Sequence, residues 1–236
     1  MATPAGKSRS WKRWLVVGVV AVLVIVVGGP FVYFQFIEGD PPPPLSLDTT
    51  PTSALPAGDK LAPLAGPWKI ARTSVVRYRV EETLFGQHNT AVGKTNAVTG
   101  SMTIAGTKVT AASFSVDMTT ISSGQAQRDG QFQGRIMDTA DFPTGTFQLT
   151  NPIELGTPAK DGAQKTYSAV GTLTLHGTPK TVTITLNARR TANVIAVQGN
   201  VPVTFSDYGI DNPSGGPASV GDTGQMEFVL EFKPPS

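Results

Sequence analysis

Leu173-Thr174-Leu175-His176-Gly177-Thr178-Pro179-Lys180-Thr181-Val182-Thr183-Ile184-Thr185-Leu186 holds the fold of this chain in miniature. Two runs with an apolar residue at every second position flank a Gly-Thr-Pro turn signal. Each run therefore reads as a strand with one dry face, and the pair as an antiparallel hairpin. The same alternation recurs at Val76, Tyr78 and Val80, at Phe114, Val116 and Met118, and at Met226, Phe228, Leu230 and Phe232. Strands are predicted over 68–71, 74–83, 91–104, 108–119, 144–150, 166–176, 180–190, 193–205 and 225–232. Turn signals at Ala105-Gly106-Thr107, Gly177-Thr178-Pro179 and Ala192-Asn193 separate neighbours. With no long amphipathic helix to cover them, the dry faces must meet one another in a closed or folded-over antiparallel sheet. Residues 122–142 break the rhythm. Phe132, Ile136 and Met137 are spaced there for one or two helical turns, which predicts a short helix across a barrel mouth. Residues 206–224, rich in Gly, Pro and Asp, read as a long loop.

Hydrophobic residues make up 39% and charged residues 15% of the 236, which describes one globular unit with attachments. The first attachment is an apolar run over 15–37, preceded by Lys7, Arg9, Lys12 and Arg13 and free of charge until Glu38. As a helix it would reach roughly 35 Å, enough for a hydrocarbon core of about 30 Å. The basic flank places residues 1–14 in the cytoplasm and exports the remainder. A cleaved signal peptide would need a shorter run and a small-x-small cleavage site, whereas Phe31, Val32, Tyr33, Phe34 and Gln35 follow Pro30, so a retained signal anchor is expected. Residues 38–66, with consecutive prolines from Pro41 to Pro44, read as a semi-extended linker leading to a barrel domain over 67–236. The expected location is the cell membrane, with a single pass and an extracytoplasmic barrel.

Four of the 19 Lys and Arg precede the apolar run while all 17 Asp and Glu follow it, so the exported part is slightly acidic. It carries no basic run, which argues against nucleic acid as a partner. Catalytic patterns are equally scarce. His88 and His176 are the only histidines, there is no cysteine, and no zinc-binding spacing occurs. Glu81 and Glu82 are neighbours on a strand and point to opposite faces, unlike a cooperating carboxylate pair. No Gly-x-Ser-x-Gly elbow is present, and the Gly215-Gly216 loop lacks the lysine and helix of a phosphate-binding loop. Neither an enzyme, a metal nor a cofactor is expected.

The order of several short motifs resembles the YceI-like family of polyisoprenoid-binding, lipocalin-like proteins over residues 66–233. The motifs are Trp68-Lys69-Ile70, Val98-Thr99-Gly100-Ser101-Met102, Phe114-Ser115-Val116-Asp117, Ile121-Ser122-Ser123 and Arg128-Asp129. They continue with Asp141-Phe142-Pro143, Thr146-Phe147, Val170-Gly171-Thr172-Leu173-Thr174-Leu175-His176-Gly177, Tyr208-Gly209-Ile210 and Val220-Gly221-Asp222. The resemblance implies an all-β, antiparallel eight-stranded barrel around an elongated apolar cavity, with a short helical segment at its mouth, here preceded by one transmembrane helix. It also implies a long-chain isoprenoid lipid or isoprenoid quinone as ligand. Many members carry a His-Ser pair and a further His where this chain has Thr73-Ser74 and Glu81-Glu82, and a His-Leu pair where it has Gln131-Phe132. Head-group identity therefore does not carry over.

On this reading the cavity wall is expected from Val76, Tyr78, Val80, Phe114, Val116, Met118, Phe132, Ile136, Phe147, Ala169, Leu173, Leu175, Ile184, Phe205 and Phe228. Arg128 and Asp129 stand as head-group candidates, or alternatively as a structural Arg–Asp pair, or an Asp that bonds backbone in a turn beside the helical segment. The small residues Ala169, Gly171, Ala188 and Gly199 on the inward parity either leave a channel or merely suit a tapering barrel. The competing function is an envelope interaction module with a filled barrel, and a hydrolase or isomerase of an apolar substrate ranks behind both.

Overall fold

The computed structural model describes residues 14–19, 22, 41–47, 62–157, 162–216 and 218–235. The chain divides into Met1–Pro41 and Pro42–Ser236. In the first unit residues 14–19 and 22 are helical, and Trp14, Leu15, Val16, Val17, Val19 and Val22 are exposed. Among the described residues no helix is long and apolar enough to cross a membrane. The basic tip through Arg13 and most of the span expected over 15–37 lie outside the described residues, as does 48–61 of the linker.

The second unit is built from β1 (Gly66–Ile70), β2 (Val75–Leu84), β3 (Gln87–Thr95), β4 (Val98–Ala105), β5 (Lys108–Asp117), β6 (Thr144–Leu149), β7 (Ile153–Glu154), β8 (Gln164–Leu175), β9 (Thr178–Thr191), β10 (Val194–Thr204), β11 (Ala218–Val220) and β12 (Thr223–Lys233). Every ladder between them is antiparallel. The ring runs β1-β4-β5-β6-β8-β9-β10-β12 and closes where Lys69 and Ile70 of β1 meet Lys233 and Phe232 of β12. The expected eight-stranded barrel is thus present. Ring and described core both fall within Pro42–Ser236, so this unit carries its own interior, the requirement for a domain to fold alone.

Two of its staves are broken. β2 continues β1 along the same edge of β12, opposite Gln225–Val229, and β3 continues into β4 after Asn96-Ala97. The prediction of one unbroken strand over 91–104 is corrected accordingly. At the first break the fully buried Ser74 stands in for ladder bonds: its hydroxyl accepts from the Glu231 amide at 2.9 Å, and its carbonyl accepts from Asn96 Nδ2 at 2.7 Å.

Turn chemistry explains two further differences. Phe85-Gly86 and His176-Gly177 each have positive φ at both residues, the requirement of the two-residue hairpin whose twist matches the strands. β3 therefore starts at Gln87, placing the exposed His88 on a strand instead of in a loop, and β9 starts at Thr178, one residue into the expected Gly-Thr-Pro turn. The loop expected over 206–224 contains β11, which pairs with the end of β2.

The rhythm break becomes helix α1 (Ala126–Gln131), continued by a π-helical turn over Phe132–Ile136. Phe132 stacks on Tyr78 with ring centres 5.0 Å apart, and Gln133 Nε2 donates to the Thr119 carbonyl at 3.0 Å. Together with the buried Met118 and Met137 this segment caps one end of the barrel.

Residues 42–47 do not hang free as the linker reading implied; they lie along the outer wall of the barrel. Outward residues explain why. Ala196 of β10 and Val229 of β12 are apolar on a face that alternation makes wet, and Leu47 buries against both. Beside them Arg77 and Arg79 donate to Pro43 O and to Pro42 O (2.6 Å), and Arg189 donates to Leu47 O. Glu227, itself buried, accepts from Arg77 Nε and from Arg79 Nε at 2.9 Å. Burial alone would raise this carboxyl; hydrogen bonds from Arg77 and Arg79, the charge of Arg77 and the Leu45 amide outweigh it and hold it below the ordinary carboxylate range.

Candidate functional site

The barrel interior is divided across its middle by three phenylalanines. Phe114 of β5 stacks on Phe147 of β6 with ring centres 5.3 Å apart, and a tilted contact of 5.8 Å joins it to Phe228 of β12. The glycines that suggested a channel are what admit these rings. A Cβ on Gly199 would lie 2.3 Å from Phe228 Cζ, and one on Gly171 would lie 2.3 Å from Phe147 Cζ. Gly171 and Gly199 therefore give aromatic filling, while Ala169 and Ala188 face open space.

That space is a cavity of about 230 Å³. Its floor is the phenylalanine layer. Its wall is built from Met102 and Ile104 of β4, Val109 and Ala112 of β5, Leu149 of β6, Ala169 of β8, Ile184, Leu186 and Ala188 of β9, Ile195 and Val197 of β10, and Leu230 and Phe232 of β12. These positions lie at the end where the β4–β5 and β9–β10 turns gather, with Leu64, Leu155, the exposed Ala163, Lys165, Tyr167, Arg189 and Arg190 at the rim. The helical segment stands at the opposite end. The expectation that it sits at the cavity mouth is corrected: its large apolar residues, Phe132 and Met137, pack as a plug and fill the end they cover.

Of the residues put forward from sequence, Phe114, Phe147, Ala169, Ile184 and Phe228 line this cavity. Val76, Val116, Met118, Phe132, Leu173, Leu175 and Phe205 are buried in the packed interior, with Tyr78, Val80 and Ile136 packed against it. Burial raises the Tyr78 phenol to about 12, the nearby Arg128 only partly opposing this. Arg128 and Asp129 also belong to the capped end. Arg128 Nη2 lies 3.2 Å from Glu82 Oε1. Asp129 accepts from the Ser122 hydroxyl (2.6 Å) and from the Ser123 amide (2.7 Å) and hydroxyl (2.6 Å). Burial would raise its carboxyl, but these bonds and Arg128 hold it below the usual range. Asp129 thus bonds a backbone amide and two hydroxyls in the turn beside the helical segment, while Arg128 faces Glu82.

Sequence reasoning passed over Lys165, Tyr167, Leu186 and Arg190 as rim and wall. The signal was there: on β8 and β9 the inward parity runs on through these positions and ends in a cation. His176, at φ 47 in its turn, packs edge-on against Phe142 with Nδ1 3.3 Å from the Tyr208 carbonyl. Glu81 bonds Thr90 on the outer face while Glu82 faces Asn89 and Arg128, opposite one another as their adjacency dictates. Among the described residues no three His, Cys, Asp or Glu side chains gather as a metal site would need.

A closed antiparallel barrel with an apolar cavity toward one end has the architecture of a lipocalin-like barrel. The chain belongs to the YceI-like domain family, whose model matches residues 68–232. Among solved structures it is similar to a polyisoprenoid-binding domain from Saccharophagus degradans implicated in plant cell wall breakdown. That likeness has 20% identity and a TM-score of 0.58, and covers 75% of this chain and 100% of the other. It is also similar to BcnA of Burkholderia cenocepacia, at 19% identity and a TM-score of 0.54 over 69% of this chain and 98% of that one. At these identities the likeness is one of fold. None of the curated proteins matches this sequence.

Proposed function

We propose that this chain is a membrane-anchored, extracytoplasmic binding protein that sequesters or carries an isoprenoid lipid or isoprenoid quinone with its tail inside the barrel. The observation that carries the reading is the apolar cavity that ends on the Phe114, Phe147 and Phe228 floor. Support comes also from family membership and from the similar domain of Saccharophagus degradans, described as polyisoprenoid-binding. At about 230 Å³ the cavity is below the roughly 300–1,000 Å³ common for small-molecule pockets. A few isoprene units fill it to the floor and the rest of a longer tail extends past the rim. Each methylene-sized group buried contributes about 0.8 kcal/mol, so affinity follows tail length more than polar recognition. The run over 15–37 is the anchor of this reading. Extraction of purified protein followed by lipid mass spectrometry tests it: a reproducible stoichiometric prenyl lipid is expected. Repeatedly empty protein that also takes up no added prenyl alcohol would defeat the proposal in favour of an interaction module.

A further inference from the structure

The inward rows of β8 and β9 end on cations at the same end of the barrel. Along β8 the row runs from Ala169 through Tyr167 to Lys165, and along β9 from Leu186 through Ala188 to Arg190. Lys165 is the ladder partner of Ala188, so Lys165 and Arg190 are diagonal neighbours on one face, with backbones about 7–8 Å apart. Both line the apolar cavity at its rim.

Their partners leave the charge unanswered. Lys165 Nζ donates to the carbonyls of Leu155 (2.7 Å) and Thr157 (3.2 Å) and lies 5.5 Å from the Tyr167 ring centre. Arg190 donates through Nε to Ala192 O (3.0 Å) and through Nη2 to Ala62 O, with its guanidinium 5.5 Å from the Trp68 ring centre. None of these groups is a carboxylate, and among the described residues neither cation enters an ion pair. An ammonium has three N–H donors and a guanidinium five, so two bonds each leave donors to spare. Carbonyl dipoles solvate a cation without neutralising it. Two such charges over a dry cavity are matched by one kind of molecule: an apolar chain with a negative end.

Resting on the isoprenoid-binding reading above, we propose that the ligand is an anionic amphiphile whose chain fills the cavity and whose oxyanion head, a phosphate or a group of like charge and shape, sits between Lys165 and Arg190. Charge-assisted bonds from these donors are stronger than those to a neutral oxygen, and the planar fork of Arg190 suits an oxyanion. A neutral quinone or alcohol adds to the burial of its tail only the weaker bonds of a neutral oxygen.

Trp68 provides the readout. The chain's three tryptophans are Trp11, Trp14 and Trp68, so the self-contained fragment 42–236 holds one, and it lies against the Arg190 guanidinium. Trp68 fluorescence of this fragment is titrated with geranyl phosphate, with geraniol and with inorganic phosphate. Geranyl phosphate is expected to bind at least about tenfold more tightly than geraniol at low salt, a gap that narrows as salt screens the rim. Inorganic phosphate, lacking the tail, should bind at least about tenfold more weakly than geranyl phosphate. The double variant Lys165→Gln/Arg190→Gln should lose the preference yet still bind geraniol, which shows that it is folded, while Lys180→Gln at the far end keeps the preference. Equal affinity for geraniol and its phosphate overturns the anionic head and leaves the apolar-tail reading intact. Inorganic phosphate as tight as geranyl phosphate overturns the amphiphile. No binding of either prenyl compound overturns both readings.

Discussion

The ring of Phe147 occupies the space that a side chain at residue 171 would need: a Cβ built on Gly171 would lie 2.3 Å from Phe147 Cζ and 2.6 Å from the Gln148 carbonyl oxygen. Since one of these neighbours is backbone, the strain cannot be relieved by a side-chain rotation alone. Gly171→Ala is therefore expected to cost about 1–3 kcal/mol, as overpacking of a filled core does. Urea unfolding followed by circular dichroism measures it, as a lower midpoint at unchanged slope. A midpoint equal to that of the parent protein would show that the ring yields freely.

Phe228 closes the same floor over Gly199. Replacing it with leucine removes ring volume from the layer that stops the cavity, so the preference of the barrel should move toward longer tails. Competition among geraniol, farnesol and geranylgeraniol for the parent and Phe228→Leu reports this as a change in rank. An unchanged rank would mean that the phenylalanine layer does not set tail length.

Ala188 lies on the cavity wall, half-buried, and not in the packed interior. Ala188→Phe should put a ring into the empty space, lowering affinity for prenyl alcohols by about tenfold or more through lost burial of tail. Thermal stability should be equal or higher, because a void is filled and no close contact is created. Loss of binding together with loss of fold would contradict the placement of this residue.

Glu227 makes the outer wall sensitive to acid. Its carboxyl is held below the ordinary value of about 4.3. Its contribution is therefore complete above that value and is lost as pH falls through the depressed folded-state pKa. Glu227→Gln should cost about 3 kcal/mol at neutral pH, since Arg77 and Arg79 lose a buried partner, and should flatten the acid limb of the stability curve. Hydrogen exchange at the Leu45 amide, which donates to this carboxylate, should quicken in the variant. An acid limb of the same slope in both proteins would remove Glu227 from the account.

The alternation of Leu173, Leu175, Val182, Ile184 and Leu186 carries the ring, because side-chain parity on a strand follows from backbone geometry whatever lies beyond it. Parity does not carry height along the barrel axis. Val116 and Ile184 read alike in sequence, yet Ile184 faces the cavity and Val116 is packed core, since the level of each depends on strand tilt and stagger. Gly171 and Gly199 mislead for a related reason: a missing side chain on one strand is filled by a phenylalanine on its neighbour, a long-range pairing that composition does not contain. Residues 42–47 look too proline-rich to pack. Their docking depends on Val229, Ala196, Arg77 and Glu227, which are far from them in sequence and adjacent only once the ring has closed.

The docked segment also sets where load enters the molecule. Tension reaching the barrel through residue 41 meets first the Pro42 and Pro43 carbonyls on Arg79 and Arg77 and the buried Leu47 side chain. The short β1–β12 seam, with Lys69 and Ile70 as its rungs, lies further along the chain, beyond a second fastening where the Ala62 amide donates to Asn193 Oδ1 at 2.7 Å. Along the chain, both fastenings therefore come before the Lys69 and Ile70 rungs that close the ring.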